Sequence, residues 1–292
     1  MKWGTTEVKT MRSVVYGLCT CAVILLVAEA ALGEGATAAG THYRLCMSHK
    51  NAGRMRQAIE ECRSAIEIRP EYQAAHLTLG SLLRRQGDYD GAAAEYRRVI
   101  ELDRNNAEAH ALLGAIALRQ RQYDEAERLL RRAVQINDAD ADSHANLAVV
   151  LRQRRSYNEA LIQVSRAIAL DGAQAIFYNN RGVIYRQLRR YPEAIQDLRR
   201  SIELEADNAQ YHFDLAVVYR VQQQQQDAVD QYQEALRLNP NMAEAVYDLA
   251  LMYQALGRND EAVEALERWL RLVGDRDPER ANDVRERLEN LR

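Results

Sequence analysis

The sequence predicts an all-α fold, a solenoid of seven 34-residue helix–turn–helix repeats followed by a C-terminal capping helix. One pattern of residues recurs every 34 residues from Ala39 to Arg276, without insertion or deletion. The 292 residues include only four Pro and fourteen Gly, which speaks against an all-β fold with many turns. The chain is also rich in Ala, Leu, Arg, Glu and Gln, which favour helices.

The first forty residues differ in composition from the rest of the chain. Three basic side chains precede the fifteen uncharged residues 14–28, and an A-x-A motif ends at Ala30. This order is typical of a secretory signal peptide. Because the uncharged stretch is shorter than the roughly 20 residues of a membrane-spanning helix, cleavage is favoured, although an uncleaved anchor also fits. We therefore expect 1–30 to be a signal peptide or an N-terminal membrane anchor, and 31–38 to be a linker.

Two columns of small residues mark where the two helices of each repeat, A and B, cross. Position 20 is Ala in every repeat, and position 8 is always Gly, Ala or Cys. Small side chains let two helix backbones approach closely, while the mostly large apolar residues at positions 7, 24 and 30 fill the space between hairpins. Counted from Ala39, the predicted repeats are 39–72, 73–106, 107–140, 141–174, 175–208, 209–242 and 243–276.

The turn residues agree with this division. Gly53, Gly87 and Gly257 occupy position 15, where we expect helix A to end. Pro192 stands early in a helix B, where its missing N–H is not needed. These residues predict a tight turn between helices A and B.

A last helix is predicted at 277–292. An Asp-Pro pair at 277–278 is typical of a helix start. The charged sequence that follows carries one apolar stripe, formed by Ala281, Val284, Leu288 and Leu291. We expect this stripe to cover the open face of the last repeat.

The repeat resembles that of the tetratricopeptide repeat family, over residues 39–276. The resemblance implies a right-handed superhelical solenoid with a concave groove lined by helix A through positions 2, 5, 6, 9, 12 and 13. The resemblance also implies that the protein is of the exported bacterial type of this family. It is then expected to bind an extended peptide or a partner protein and not to be an enzyme. The family's clamp for terminal carboxylates needs Asn at position 9, which no repeat has.

Cations and amides recur at the predicted groove positions. Position 12 is cationic in five of seven repeats, and position 6 becomes polar towards the end. Arginine binds carboxylates in bidentate fashion, so we expect a peptide or protein partner with acidic groups. The same cations also suit the last turn of a helix without any ligand. The groove candidates are Lys50, Arg84, Arg85, Arg119, Asn146, Arg152, Asn179, Asn180, Arg186, Asp214, Arg220 and Asp248.

Two pairs of residues are candidates for structural links. Cys46 and Cys62 occupy facing positions of the first hairpin, where either a disulfide or two buried thiols would fit. Arg181 is the one charged residue at position 7, and only its own repeat has an aspartate, Asp197, at position 23. Since an unpaired buried charge is costly, we expect these two to form an ion pair.

No residue pattern predicts a catalytic site, a cofactor or a metal site. Five of the six histidines stand at position 4 of different repeats, so they do not converge on one ion and are interpreted as packing residues. The net charge of −3 disfavours a nucleic-acid partner. The function expected is a protein-interaction scaffold of the cell envelope, periplasmic, secreted or anchored outside the cytoplasm. The alternative is an accessory subunit that docks a separate enzyme, such as a glycosyltransferase, or an envelope-assembly complex.

Overall fold

The computed structural model describes residues 37–274 and 276–291, which form fifteen helices and no strand. The all-α prediction is confirmed for these residues. Helix α1 covers 37–51. The other helices are α2 (Met55–Ile68), α3 (Gln73–Gln86), α4 (Tyr89–Leu102), α5 (Ala107–Arg119), α6 (Tyr123–Ile136), α7 (Ala141–Gln153), α8 (Tyr157–Leu170), α9 (Ala175–Gln187), α10 (Tyr191–Leu204), α11 (Ala209–Val221), α12 (Gln225–Leu238), α13 (Ala243–Ala255), α14 (Asn259–Val273) and α15 (Pro278–Leu291).

The structure describes only part of the predicted N-terminal segments. The signal or anchor segment 1–30 and residues 31–36 of the linker lie outside the described residues. Residues 37 and 38 were expected in the linker but are helical, so that expectation was wrong at its end. Ala38 favours a helix, and the Thr41 hydroxyl donates a hydrogen bond to the Thr37 carbonyl over 2.9 Å. Among the described residues, no helix has the length and hydropathy to cross a membrane.

The helices follow the period of the sequence. The B helices begin at intervals of 34 residues from Met55 to Asn259, and the A helices do so from Gln73 to Ala243. The chain divides into two compact units, an N-terminal unit that ends at Ile116 and a C-terminal unit that begins at Ala117. In the N-terminal unit α2 packs on α3, and α3 on α4.

The C-terminal unit contains the site considered below. From α6 to α15 each helix packs on the next one. In addition α7 contacts α9, and α9 contacts α11, so the A helices of these repeats lie side by side. They form a continuous layer, which we call the helix-A face.

The crossing points of the helices require the small residues found there. All seven alanines at position 20 are completely buried. A Cβ atom on Gly80 would come within 2.6 Å of the Tyr96 ring, and one on Gly182 within 2.7 Å of the Leu198 side chain. Both contacts are too short for real atoms. In these two hairpins glycine is therefore needed at position 8, because the large side chain at position 24 fills the space a Cβ would occupy.

The turns between helices A and B share one backbone conformation. Position 15 has a left-handed φ of 57° to 91° in all seven repeats. Three repeats have glycine there, as the sequence predicts, whereas the other four have Arg or Gln. In each turn the residue at position 16 donates a backbone hydrogen bond to position 11, closing the end of helix A. The positions with left-handed φ are Gly53, Gly87, Arg121, Arg155, Arg189, Gln223 and Gly257.

Four of the five histidines at position 4 link consecutive repeats by hydrogen bonds. His76 contacts the Pro70 carbonyl through Nε2 at 3.0 Å and Glu95 Oε2 through Nδ1 at 2.5 Å. Burial opposes charge on this ring, but the Glu95 and Pro70 bonds and the Glu95 charge outweigh it, so the pKa of His76 is raised. His110, His144 and His212 likewise contact the carbonyl six residues earlier. Each ring therefore ties its helix A to the end of the preceding repeat.

Candidate functional site

The groove candidates of the C-terminal unit lie on the helix-A face. Position 12 places Arg152, Arg186 and Arg220 in the last turns of α7, α9 and α11. All three side chains are half-buried. Two turns earlier in the same layer, position 6 holds Asn146 and Asn180, which are half-buried, followed by Asp214 and Asp248. The face therefore carries one line of guanidinium groups and one line of amides and carboxylates.

Asp214 is the most enclosed of these groups. Nδ2 of Asn179 donates a hydrogen bond to its Oδ2 over 3.0 Å, and both side chains are buried. Burial raises the pKa of Asp214, although the hydrogen bonds of Asn179 and Gln210 and the charge of Arg186 act in the opposite direction. The carboxylate is thus held in a low-dielectric position at the middle of the helix-A face.

Arg152 lies on the other side of this cluster. Burial lowers the pKa of its guanidinium; the charge of Asp214 raises it, and the charge of Arg186 lowers it further. Its Nε is buried and has no hydrogen-bond partner among the described residues. Arg152 and Arg186 therefore both act electrostatically on the single carboxylate of Asp214.

A second pairing follows one repeat later. Arg220 Nε lies 3.6 Å from Asp248 Oδ2, and the Tyr232 hydroxyl donates a hydrogen bond to the same oxygen over 3.0 Å. Burial and the Asp248 charge raise the pKa of Tyr232. The line of cations expected from the sequence is therefore partly neutralised by the acidic residues at position 6. Sequence reasoning identified both lines but missed their pairing.

The remaining groove candidates lie elsewhere. Lys50, Arg84 and Arg85 belong to the N-terminal unit, at the ends of α1 and α3, where Lys50 is half-buried and both arginines are exposed. Arg119 ends α5 and is exposed. These four supply surface charge rather than an enclosed site.

The two structural links expected from the sequence, a disulfide and an ion pair, are both present in the structure. Cys46 and Cys62 form a disulfide between α1 and α2, with their Cα atoms 5.3 Å apart. Arg181 and Asp197 form a bidentate ion pair: Nε–Oδ2 is 2.6 Å and Nη2–Oδ1 is 2.8 Å. The Asp197 hydrogen bonds raise the pKa of Arg181 above its ordinary value despite burial. Neither link offers a free reactive group.

The described residues contain no group of three or more His, Cys, Asp or Glu side chains placed to hold a metal ion. The position-4 histidines face carbonyl and side-chain oxygens of their own surroundings instead. What the helix-A face offers chemically is charge and hydrogen bonds.

Sequence-family models match most of the chain. One model, described as tetratricopeptide repeat, matches residues 43–107, 77–144, 112–175 and 213–281, and a second with the same description matches 173–241. The chain belongs to the tetratricopeptide repeat family. The resemblance and the prediction of an all-α solenoid of such repeats are thereby confirmed. Proteins of this family are generally non-enzymatic scaffolds that bind protein or peptide partners.

Solved structures with the same fold share little sequence with the chain. The APC/C hetero-tetramer Cut9–Hcn1 matches with a TM-score of 0.66 at 20% identity, over 73% of this chain and 42% of that one. PilF of Pseudomonas aeruginosa matches with 0.63 at 22%, over 77% and 99%. YrrB, a tetratricopeptide repeat protein with an unusual peptide-binding site, matches with 0.55 at 21%, over 65% and 98%. At these identities the similarity shows the fold alone. No curated protein sequence matches the chain.

Proposed function

We propose that the chain is an exported, non-enzymatic scaffold of the cell envelope that binds an extended peptide, or an extended segment of a partner protein, along the helix-A face. One observation carries the proposal. The face contains desolvated polar groups whose own partners do not satisfy them, above all the Arg152 Nε. Buried polar groups are normally hydrogen-bonded, so an unsatisfied one marks a position that lacks a partner in the free protein.

The rest of the face suits a peptide. Valines at position 9, including Val183 and Val217, form an apolar floor between the lines of positions 6 and 12. The amides of Asn146 and Asn180 each have donors and an acceptor, which complement the N–H and C=O groups of an extended backbone. The arginines favour a partner with acidic groups.

Export is proposed from the N-terminal sequence and supported by the disulfide. Residues 1–30 have the order of a signal peptide or anchor. The Cys46–Cys62 bridge suits an oxidising compartment, because disulfides are rare in the cytosol. A fusion of the full chain to alkaline phosphatase, which is active only after export, tests this. Deletion of residues 2–30 should abolish the activity, and equal activity of both fusions would contradict export.

Peptide binding can be tested without knowledge of the natural partner. A phage library of random peptides is selected on the purified chain, and the affinities of the enriched peptides are measured by fluorescence polarisation. The triple variant R152Q/R186Q/R220Q should lose most of the binding.

The matched control is R128Q/R200Q/R237Q, which removes three exposed charges from B helices of the same unit. It should bind the peptides almost as tightly as the wild type. Equal binding by the wild type and both variants would show that the helix-A face is not the binding surface.

A further inference from the structure

The cluster around Asp214 has an excess of positive charge in a desolvated position. Arg152 and Arg186 both act on this one carboxylate, and each acts unfavourably on the other. Asp214 itself is already engaged by a 3.0 Å hydrogen bond from Asn179. One positive charge of the cluster therefore has no counter-charge of its own among the described residues.

The geometry points to Arg152 as the place where that counter-charge is missing. Its Nε is buried and has no hydrogen-bond partner, and its side chain is half-buried in the last turn of α7. Arg220 Nε on the same face is likewise buried without a hydrogen-bond partner, but it has a carboxylate, that of Asp248, at 3.6 Å.

We propose that Arg152 and Arg186 form a subsite for one carboxylate of the bound peptide, placed beside the Asn179–Asp214 pair. The proposal rests on the proposed function and names the chemical group that this part of the helix-A face recognises. A guanidinium binds a carboxylate through two parallel hydrogen bonds. The negative charge of Asp214 attracts both cations when the peptide is absent.

The charge and position of the site select among anions. Two cations and one aspartate leave room for a single negative charge, which fits a carboxylate and not a doubly charged phosphate beside Asp214. The helix-A layer continues on both sides of the site, from α7 to α11, so an extended peptide can pass through it. We therefore infer that the carboxylate belongs to an internal Asp or Glu side chain rather than to the peptide's C-terminus.

The first experiment uses the best peptide from the phage selection. Each of its Asp and Glu residues is changed in turn to Asn or Gln, and its C-terminus is amidated. One internal change should weaken binding to the wild type about tenfold or more, and should have almost no effect on binding to R152Q, because the two partners form a coupled pair. The control variant R128Q, which removes an exposed cation of α6, should respond like the wild type.

The outcomes separate this inference from the proposed function. A selection that yields no peptide dependent on the helix-A face would overturn both. Peptides that bind R152Q as tightly as the wild type would overturn the subsite alone. If amidation of the C-terminus caused the loss, the carboxylate would be terminal and the inference of an internal side chain would be wrong.

A second measurement needs no ligand. Because Arg152 is desolvated without a full partner, R152Q should melt at the same temperature as the wild type or higher, as expected for a binding residue that costs stability. R181Q, which breaks an internal ion pair, should melt lower. A melting temperature of R152Q as low as that of R181Q would show a structural role and overturn the subsite.

Discussion

The Arg181–Asp197 ion pair allows a quantitative test of the packing. The perturbation is D197L, which removes the carboxylate but keeps an apolar side chain. The side chains of Asp197 and Arg181 are 8% and 21% exposed, and they are joined by two short hydrogen bonds. After the change the guanidinium retains the rings of Tyr178 and Tyr185, 5.7 and 5.9 Å away.

The expected cost follows from these surroundings. Removal of one partner from a buried ion pair costs 3–5 kcal/mol, because the other charge stays desolvated. About a fifth of the Arg181 side chain reaches solvent and two aromatic contacts remain, so we expect the lower end, about 3 kcal/mol. The double variant R181L/D197L copies the two leucines that occupy these positions in the third repeat, Leu113 and Leu129. It should recover the loss to within about 1 kcal/mol, because a well-packed apolar pair replaces a buried ion pair at little cost.

The assay must be local, because repeat proteins do not always unfold in one step. Native-state hydrogen exchange on the amides of α9 and α10 measures the free energy of opening of this hairpin. The amides of α13 and α14 serve as an internal reference. A loss below about 1 kcal/mol in D197L, or a double variant as unstable as the single one, would refute the reasoning.

Three further predictions concern the turns, the histidines and the disulfide. R155G should raise the thermal midpoint by an amount equivalent to about 1 kcal/mol, because the left-handed φ of 63° strains any residue but glycine. R155A should give no comparable gain. A lower midpoint for R155G than for the wild type would contradict the argument. Because the pKa of His76 is raised in the folded state, its protonation stabilises the fold fully below its ordinary value of 6.5, and this stabilisation is lost as the pH rises through the folded pKa. Urea midpoints measured against pH should show this loss in the wild type and not in E95Q; identical profiles would exclude the Glu95 contact as the cause. The double variant C46S/C62S should lose about 3 kcal/mol from the first hairpin, since the bridge closes a loop with a sequence separation of 16, and hydrogen exchange should become faster in α1 and α2 but not in α11 to α14.

The positions of the helices could be predicted because the period is visible in single residues. The alanines of position 20 and the glycines of position 15 appear directly in the sequence. The left-handed turns at Arg121, Arg155, Arg189 and Gln223 could not be predicted, because nothing in an arginine or glutamine side chain favours that conformation. Packing of the two helices in each hairpin imposes the turn, and the residue at position 15 therefore adopts the left-handed conformation.

The residues of the candidate site could be predicted from the sequence, but not which of them lie near each other. Arg152 and Asp214 stand two repeats apart, and only the stacking of α7, α9 and α11 brings them near each other. Sequence spacing gives the position of each residue within its repeat, whereas their distance depends on how far each hairpin turns relative to the last. For the same reason, the sequence named Cys46 and Cys62 as facing residues but could not supply the separation of 5.3 Å that decides whether they are bridged.

Helix α15 limits whether a further hairpin can stack on the last repeat. Its residues Ala281, Val284 and Leu288 are buried in the same cluster as Trp269, and the Arg280 guanidinium lies 5.3 Å from the Trp269 ring. The surface of α14 on which another hairpin would stack is therefore already occupied. Copies of the molecule cannot join end to end there by simple addition, and such joining would first require α15 to detach.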